Sequence, residues 1–207
     1  MTSIKVLGIS TSPRFKGNSD LLLRRALAGA ESAGAGIEYL RLSDYKVSPC
    51  IECNACYATG TCKVQDDYQQ LLKKILDADR LIFATPIFFM TVCAQAKMII
   101  DRCQCLWAHK YVLKKELTTA GHDRRAMVIA VGGSRSKKQF ECVRLIMKSY
   151  FDSLQVHYAA NLFVNKIDAL GDIEKHPSAL NEAYRFGSLL VNADKLPLDK
   201  PIDIELT

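Results

Sequence analysis

The sequence has no run of about 18 apolar residues able to cross a bilayer, and no cationic leader with an apolar stretch ahead of its first strand-like segment. No membrane partner is expected, and cytoplasmic residence is the working assumption. The dinucleotide fingerprint G-x-G-x-x-G and the phosphate-loop pattern G-x-x-x-x-G-K-[ST] are both missing, which argues against NAD or ATP as a tightly held ligand. No helix-turn-helix or RNA-recognition signature accompanies the net charge of +6, and the basic residues are dispersed. Nucleic acid is therefore not an expected partner. The charge suits a phosphate-bearing ligand or a small acidic electron carrier.

Cysteine, by contrast, is plentiful and unevenly placed. Four of eight cysteines, Cys50, Cys53, Cys56 and Cys62, fall within thirteen residues as P-C-I-E-C-N-A-C-Y-A-T-G-T-C. A disulfide framework is not expected in a reducing compartment, so clustered thiols point to metal or catalysis. The spacing C-x2-C-x2-C-x5-C lets one short loop present four sulfurs to a small inorganic core, as iron–sulfur clusters require. Zinc is the main rival, although zinc sites usually join two C-x2-C knuckles from separate segments. Unligated redox thiols are the third reading. Cys93, Cys103, Cys105 and Cys142 are expected to be small core or interface residues. None of His109, His122, His157 and His176 stands at a telling spacing from a cysteine, so a cysteine nucleophile is not expected. Asp66 and Asp67 read as a helix cap rather than an acid/base pair.

Strand-like and helix-like segments alternate along the chain. Strands are expected at Ile4–Ile9, Ile37–Leu42, Leu81–Ala84, Arg125–Val131 and Val156–Phe163. Helices are expected at Asp20–Ser32, Asp66–Ala78, Thr91–Leu106, Lys138–Leu154 and Pro177–Asp194. Five near-continuous apolar strands separated by helices describe an α/β, doubly wound parallel sheet. The order 2-1-3-4-5 would make it flavodoxin-like, with the cysteine loop after strand 2. Residues 1–195 form one expected domain, and 196–207, with two prolines, reads as a tail over the surface or toward a neighbouring subunit.

Ligands of such sheets lie beyond the carboxyl ends of the strands. The loop after the first strand reads S-T-S-P-R-F-K-G-N-S and opens a helix. Ser10, Ser12, Pro13, Arg14, Asn18 and Ser19 are its candidate phosphate-binding residues, aided by unpaired N–H groups at the helix start. The plain alternative is a Ser/Pro/Gly turn with an N-cap at Ser19. After the third strand, Thr85, Pro86, Ile87, Phe88 and Phe89 offer a stiff turn and apolar surface for a flat ring, or else simply cover the sheet edge. After the fourth, Gly132, Gly133 and Ser134 allow close backbone approach to a ring edge.

With these residues in view, the chain resembles the iron–sulfur flavoproteins within the wider NADPH-dependent FMN reductase group of flavodoxin-like proteins. The resemblance spans about Ile4 to Val191. It is carried by the serine-rich loop, the cysteine loop with Asp66–Asp67 after it, A-T-P-I-F-F, the K-M-I-I-D-R helix and V-G-G-S. It implies FMN across the three loops and a 4Fe–4S cluster on Cys50, Cys53, Cys56 and Cys62. It also implies a homodimer or homotetramer, electrons from a ferredoxin-like carrier, and a small acceptor such as an oxygen species or a quinone. The chain departs from many relatives at Glu52, where they carry glycine, and at Lys137–Lys138, where they carry a second glycine pair. Two further readings stay open: an NAD(P)H-dependent FMN or quinone reductase without an assembled cluster, and a flavin-binding module that is not an enzyme.

Overall fold

The computed structural model describes residues 3–117, 122–192, 196–197 and 200–207. The run K-V-L-G-I-S forms β1 (Lys5–Ser10), buried at every position after the first. Leu7 and Ile9 enter one hydrophobic core and Val6 enters another on the opposite face. A strand apolar on both sides must lie inside a layered sheet. The remaining strands are β2 (Gly36–Arg41), β3 (Arg80–Phe88), β4 (Thr91–Val92), β5 (Arg125–Val131), β6 (His157–Val164) and β7 (Ile202–Leu206). Their order is β2-β1-β3-β5-β6-β7, with every neighbour on this path parallel. The five expected strands thus take the expected order.

Helices cover both faces. On one side α1 (Asn18–Ser32) packs on α7 (Ala179–Val191). A Cβ on Gly29 would lie 1.9 Å from the Tyr184 carbonyl oxygen, and one on Gly187 would lie 1.8 Å from that of Ala26. Only glycine lets the two backbones meet this closely, and the crossing fixes α1 against the sheet. On the other side lie α2 (Cys56–Thr59), α3 (Tyr68–Asp77), α4 (Ala94–Arg102), α5 (Gln104–Trp107) and α6 (Glu141–Leu154). Arg124, buried in this layer, donates to the carbonyls of Ile75, Ala78 and Leu154 and so closes the ends of α3 and α6 together.

Three expectations are corrected. The helix expected over Thr91–Leu106 begins only at Ala94, because β3 runs on to Phe88 and folds back as a hairpin with β4. That hairpin turns through Phe89 (φ +48) and Met90 (φ +66), left-handed positions usually given to Asn and Gly. The sheet also has more than five strands. Ile202–Leu206, expected as a surface tail, adds a parallel edge strand beside β6. Ile202, Ile204 and Leu206 pack on the α1/α7 core, while Asp203 and Glu205 pair with Arg144 and Glu205 also pairs with Lys137. The expected end of the last helix at Asp194 and the boundary at 195 lie outside the described residues. Among the described residues, no helix is long and apolar enough to cross a membrane.

Candidate functional site

The β1–α1 loop is held from beneath by Thr11, whose N–H and hydroxyl both donate to the Ala84 carbonyl at 2.9 Å. Below it Cys93 is fully buried, its thiol donating to the Thr11 carbonyl at 3.2 Å. Gly17 is the N-cap of α1, and no side chain caps the helix. Its first N–H groups are therefore free to face an anion. Ser19, an N-cap only on the plain alternative reading of this loop, sits within the first turn, with a buried hydroxyl that has no hydrogen-bond partner. An orphaned donor at a bare helix start fits a phosphate.

One cleft gathers Ser12, Arg14, Gly17, Asn18 and Ser19 with Pro86, Ile87 and Phe88, then Val131, Gly132 and Gly133, and finally Ile167 and Asp168. Four segments at the carboxyl ends of β1, β3, β5 and β6 therefore converge, three of them expected from the sequence. Ser10, Pro13, Thr85, Phe89 and Ser134 do not line it. Ser10 is buried beside Tyr39, whose hydroxyl donates to Asp20 at 2.6 Å. Thr85 accepts from the Cys93 N–H and donates to the Pro86 carbonyl. Phe89 stands fully exposed at the hairpin tip, and Ser134 accepts from the Ser136 N–H. The Asn18 side chain is spent on structure: it donates to the Ala169 carbonyl at 2.8 Å and accepts from the N–H groups of Gly171 and Ile173. With Arg14, which donates to the Asp168 carbonyl, it fastens the cradle to the loop after β6. At Gly132 a Cβ would stand 2.1 Å from the buried Gln139 side-chain oxygen and 3.1 Å from Ile87, so the floor there must stay bare backbone.

The second site lies on the α3–α6 face. Cys50, Cys53, Cys56 and Cys62 all line a single cavity with Glu52, Arg102 and Cys105. The chain wraps this cavity with left-handed residues at Glu52 (φ +51), Asn54 (φ +55) and Gly60 (φ +74). Burial, with help from the three neighbouring thiols, pushes the Cys56 thiol up. A cage of four thiols around one cavity suits a cationic core that takes them as thiolates. Among the described residues, no three His, Cys, Asp or Glu side chains are gathered as if to hold a single ion. Asp66 fastens the loop: although burial alone would raise its pKa, hydrogen bonds from Arg102 and from the Ser48 and Tyr68 N–H groups hold it at about 2. Of the two expected caps, Asp67 occupies the N-cap position of α3 without a side-chain capping bond, and Asp66, one residue earlier, caps the helix by accepting from the Tyr68 N–H at 2.9 Å.

Of the other cysteines, Cys93, Cys103 and Cys105 are buried and Cys142 is exposed. Cys103 accepts from the Tyr68 hydroxyl at 3.3 Å, and burial pushes its thiol up to about 12. His109 packs against Gly60 inside the cysteine loop, a contact the spacing does not reveal. Sequence reasoning also missed Ile167 and Asp168, although the loop after β6 is another at the carboxyl ends of the strands. It missed Cys105 and Arg102 at the sulfur cavity as well. Ala96, Ile99 and Arg102 form the buried stripe of α4, and an arginine on such a stripe was the available signal.

Residues 4–157 match the family model for NADPH-dependent FMN reductase. The chain is 38% identical over 143 residues to an iron–sulfur flavoprotein of Methanocaldococcus jannaschii, covering 69% of each chain. It is 30% identical over 154 residues to an iron–sulfur flavoprotein of Methanosarcina thermophila, covering 74% of each. Among solved structures, an NAD(P)H:quinone oxidoreductase from Methanothermobacter marburgensis superposes with a TM-score of 0.66 at 19% identity, over 91% of this chain and 98% of that one, a likeness of fold. The chain accordingly belongs to the NADPH-dependent FMN reductase family, among its iron–sulfur flavoproteins, and is an FMN-dependent oxidoreductase.

Proposed function

We propose that this protein takes electrons from a low-potential carrier of ferredoxin type, by way of a 4Fe–4S cluster on Cys50, Cys53, Cys56 and Cys62 and then FMN, and delivers them to a small acceptor such as an oxygen species or a quinone. One observation carries the reading: all four cysteines of the motif line one cavity, in a chain that also has a cleft suited to a mononucleotide. Three cysteines at successive x2 spacings suit a polyatomic core better than the paired knuckles of a zinc site. When bound, the two groups supply one- and two-electron chemistry. The protein contributes binding, orientation and electrostatics.

Ser12, Ser19 and the start of α1 would hold the FMN phosphate, with Arg14 at the rim. Ile87 and Phe88 would cover one side of the ring, and the bare backbone at Gly132 and Gly133 would face its polar edge. Beside the sulfur cavity a groove of about 440 Å³, lined by Cys50, Tyr57, Trp107 and Tyr150 among others, leaves the tips of Tyr57 and Trp107 exposed. It is a suitable landing place for the carrier or for a second copy of the chain, consistent with a homo-oligomer.

Quantifying iron, zinc and FMN in oxygen-free material, with an absorption spectrum, tests this. About four iron and one FMN per chain are expected. A colourless product after reconstitution would overturn the reading. The second reading, a cluster-free NAD(P)H-dependent FMN or quinone reductase, is favoured by the description of the matching family model. It predicts fast flavin bleaching by NADPH in anaerobic stopped flow, with no iron in the metal analysis.

A further inference from the structure

The guanidinium of Arg102 is fully buried and sits where the two ends of the cysteine loop meet. Nη1 donates to the Ser48 carbonyl at 2.9 Å and to Asp66 Oδ2 at 2.8 Å. Nη2 donates to the Val64 carbonyl at 2.9 Å and to Asp66 Oδ1 at 3.3 Å. Ser48 lies two residues before Cys50, and Val64 two residues after Cys62. A single planar fork therefore closes the loop at its neck, while the Tyr68 ring stacks beneath it at 4.4 Å. The fifth N–H, on Nε, is buried and has no hydrogen-bond partner. Arg102 itself lines the cavity shared by the four thiols.

An uncompensated buried N–H is costly, and buried polar groups are nearly always paired. The residue that carries this unpaired donor lines the cavity the four sulfurs share. We propose that Arg102 is the positioning residue of the sulfur cage, clasping both ends of the cysteine loop with its terminal nitrogens and presenting its remaining N–H to the thiolates and the cluster they hold. Hydrogen bonds and positive charge beside cluster sulfurs raise the reduction potential. Lysine cannot substitute: a point charge on a flexible stem has neither the fork nor the Nε–H. This inference rests on the proposed cluster reading, and its test separates the two.

Metal-free protein is titrated with cobalt(II) under argon, following the thiolate-to-cobalt charge-transfer band, in wild type, Arg102→Lys and Arg102→Met. FMN content serves as the measure of folding. Wild type is expected to show the band, and both variants to bind cobalt at least about tenfold more weakly while retaining FMN, the scale of second-layer effects at metal sites. In reconstituted Arg102→Lys, which keeps the charge, the cluster potential is expected to fall. Wild-type affinity and potential in both variants would overturn the role of Arg102 alone. Absence of the band in wild type would overturn the cage and the inference together. Should neither arginine variant retain FMN, Asp66→Asn carries the test. It removes the counter-charge while Ser48 and Val64 still engage Arg102; weaker cobalt binding supports the clasp, and unchanged binding refutes it.

Discussion

The two loops are built by opposite means. The β1–α1 loop grows directly out of a buried strand and is anchored to main-chain carbonyls of the surrounding sheet and loops: Thr11 is fixed to β3, and the Asn18 and Arg14 side chains are tied to carbonyls of the loop after β6. Its donors point into a cleft whose walls exist before any ligand arrives. The cysteine loop is an insertion between β2 and α3, and its shape depends on a few side chains. Arg102 and Asp66 hold its neck, Asp67 accepts from the Lys46 N–H, and its turns pass through left-handed Glu52 and Asn54. A site made of the sheet tolerates the loss of a side chain. A site made of an insertion concentrates its stability in two or three of them, and in the metal it binds.

The sharpest way to break this contrast is to remove a thiol. Cys56→Ala, set beside Cys142→Ala, is expected to abolish iron-dependent visible absorbance while FMN stays bound, because only Cys56 lines the cage and Cys142 is exposed. Equal loss in both would contradict the assignment. The reciprocal experiment is Gly132→Val. Its side chain would drive into Gln139 and Ile87, so the dissociation constant for FMN should rise by more than about tenfold, roughly 1.4 kcal/mol, with iron content unchanged.

Acid separates the loops more gently. Asp66 has its pKa held at about 2 in the folded protein against 3.8 ordinarily, so it lends the cysteine loop stability in full above about pH 4, and that stability drains as the pH falls toward 2. Hydrogen exchange of residues 46–66 in the metal-free protein should quicken over that window, while the β1–α1 loop is unaffected. In Asp66→Asn this dependence should vanish. The smallest effect is expected from Glu52→Gly. Glycine relieves the left-handed strain at this position, and the loop should gain up to about 1 kcal/mol in thermal or denaturant unfolding. Destabilisation would mean that the Glu52 side chain has a role of its own.

Buried parallel strands read plainly as continuous apolar runs, which is why Arg125–Val131 is found with its bounds and why the order of the five expected strands follows. The hairpin at Phe89–Met90 was hidden because neither residue is a turn former, so nothing in the sequence marks the reversal. The last strand was hidden by the two prolines ahead of it, Pro197 and Pro201. The alternation I-D-I-E-L has the period of a half-buried strand, and its acidic face meets Arg144 and Lys137. Within the site, the cysteines announced themselves by spacing, whereas the residues that aim them did not. Asp66 reads as a helix cap and is one, but its second task, neutralising a buried guanidinium 36 positions away, is set by tertiary contact alone.

The edge strand has a consequence for handling the protein. Asn165 donates its N–H to the Leu206 carbonyl at 3.1 Å and its side-chain amide to the Arg135 carbonyl at 3.2 Å, so one residue links the carboxyl end of the chain to the glycine turn. Clipping by a protease within Ile202–Leu206 would be felt across the molecule as a paler yellow preparation.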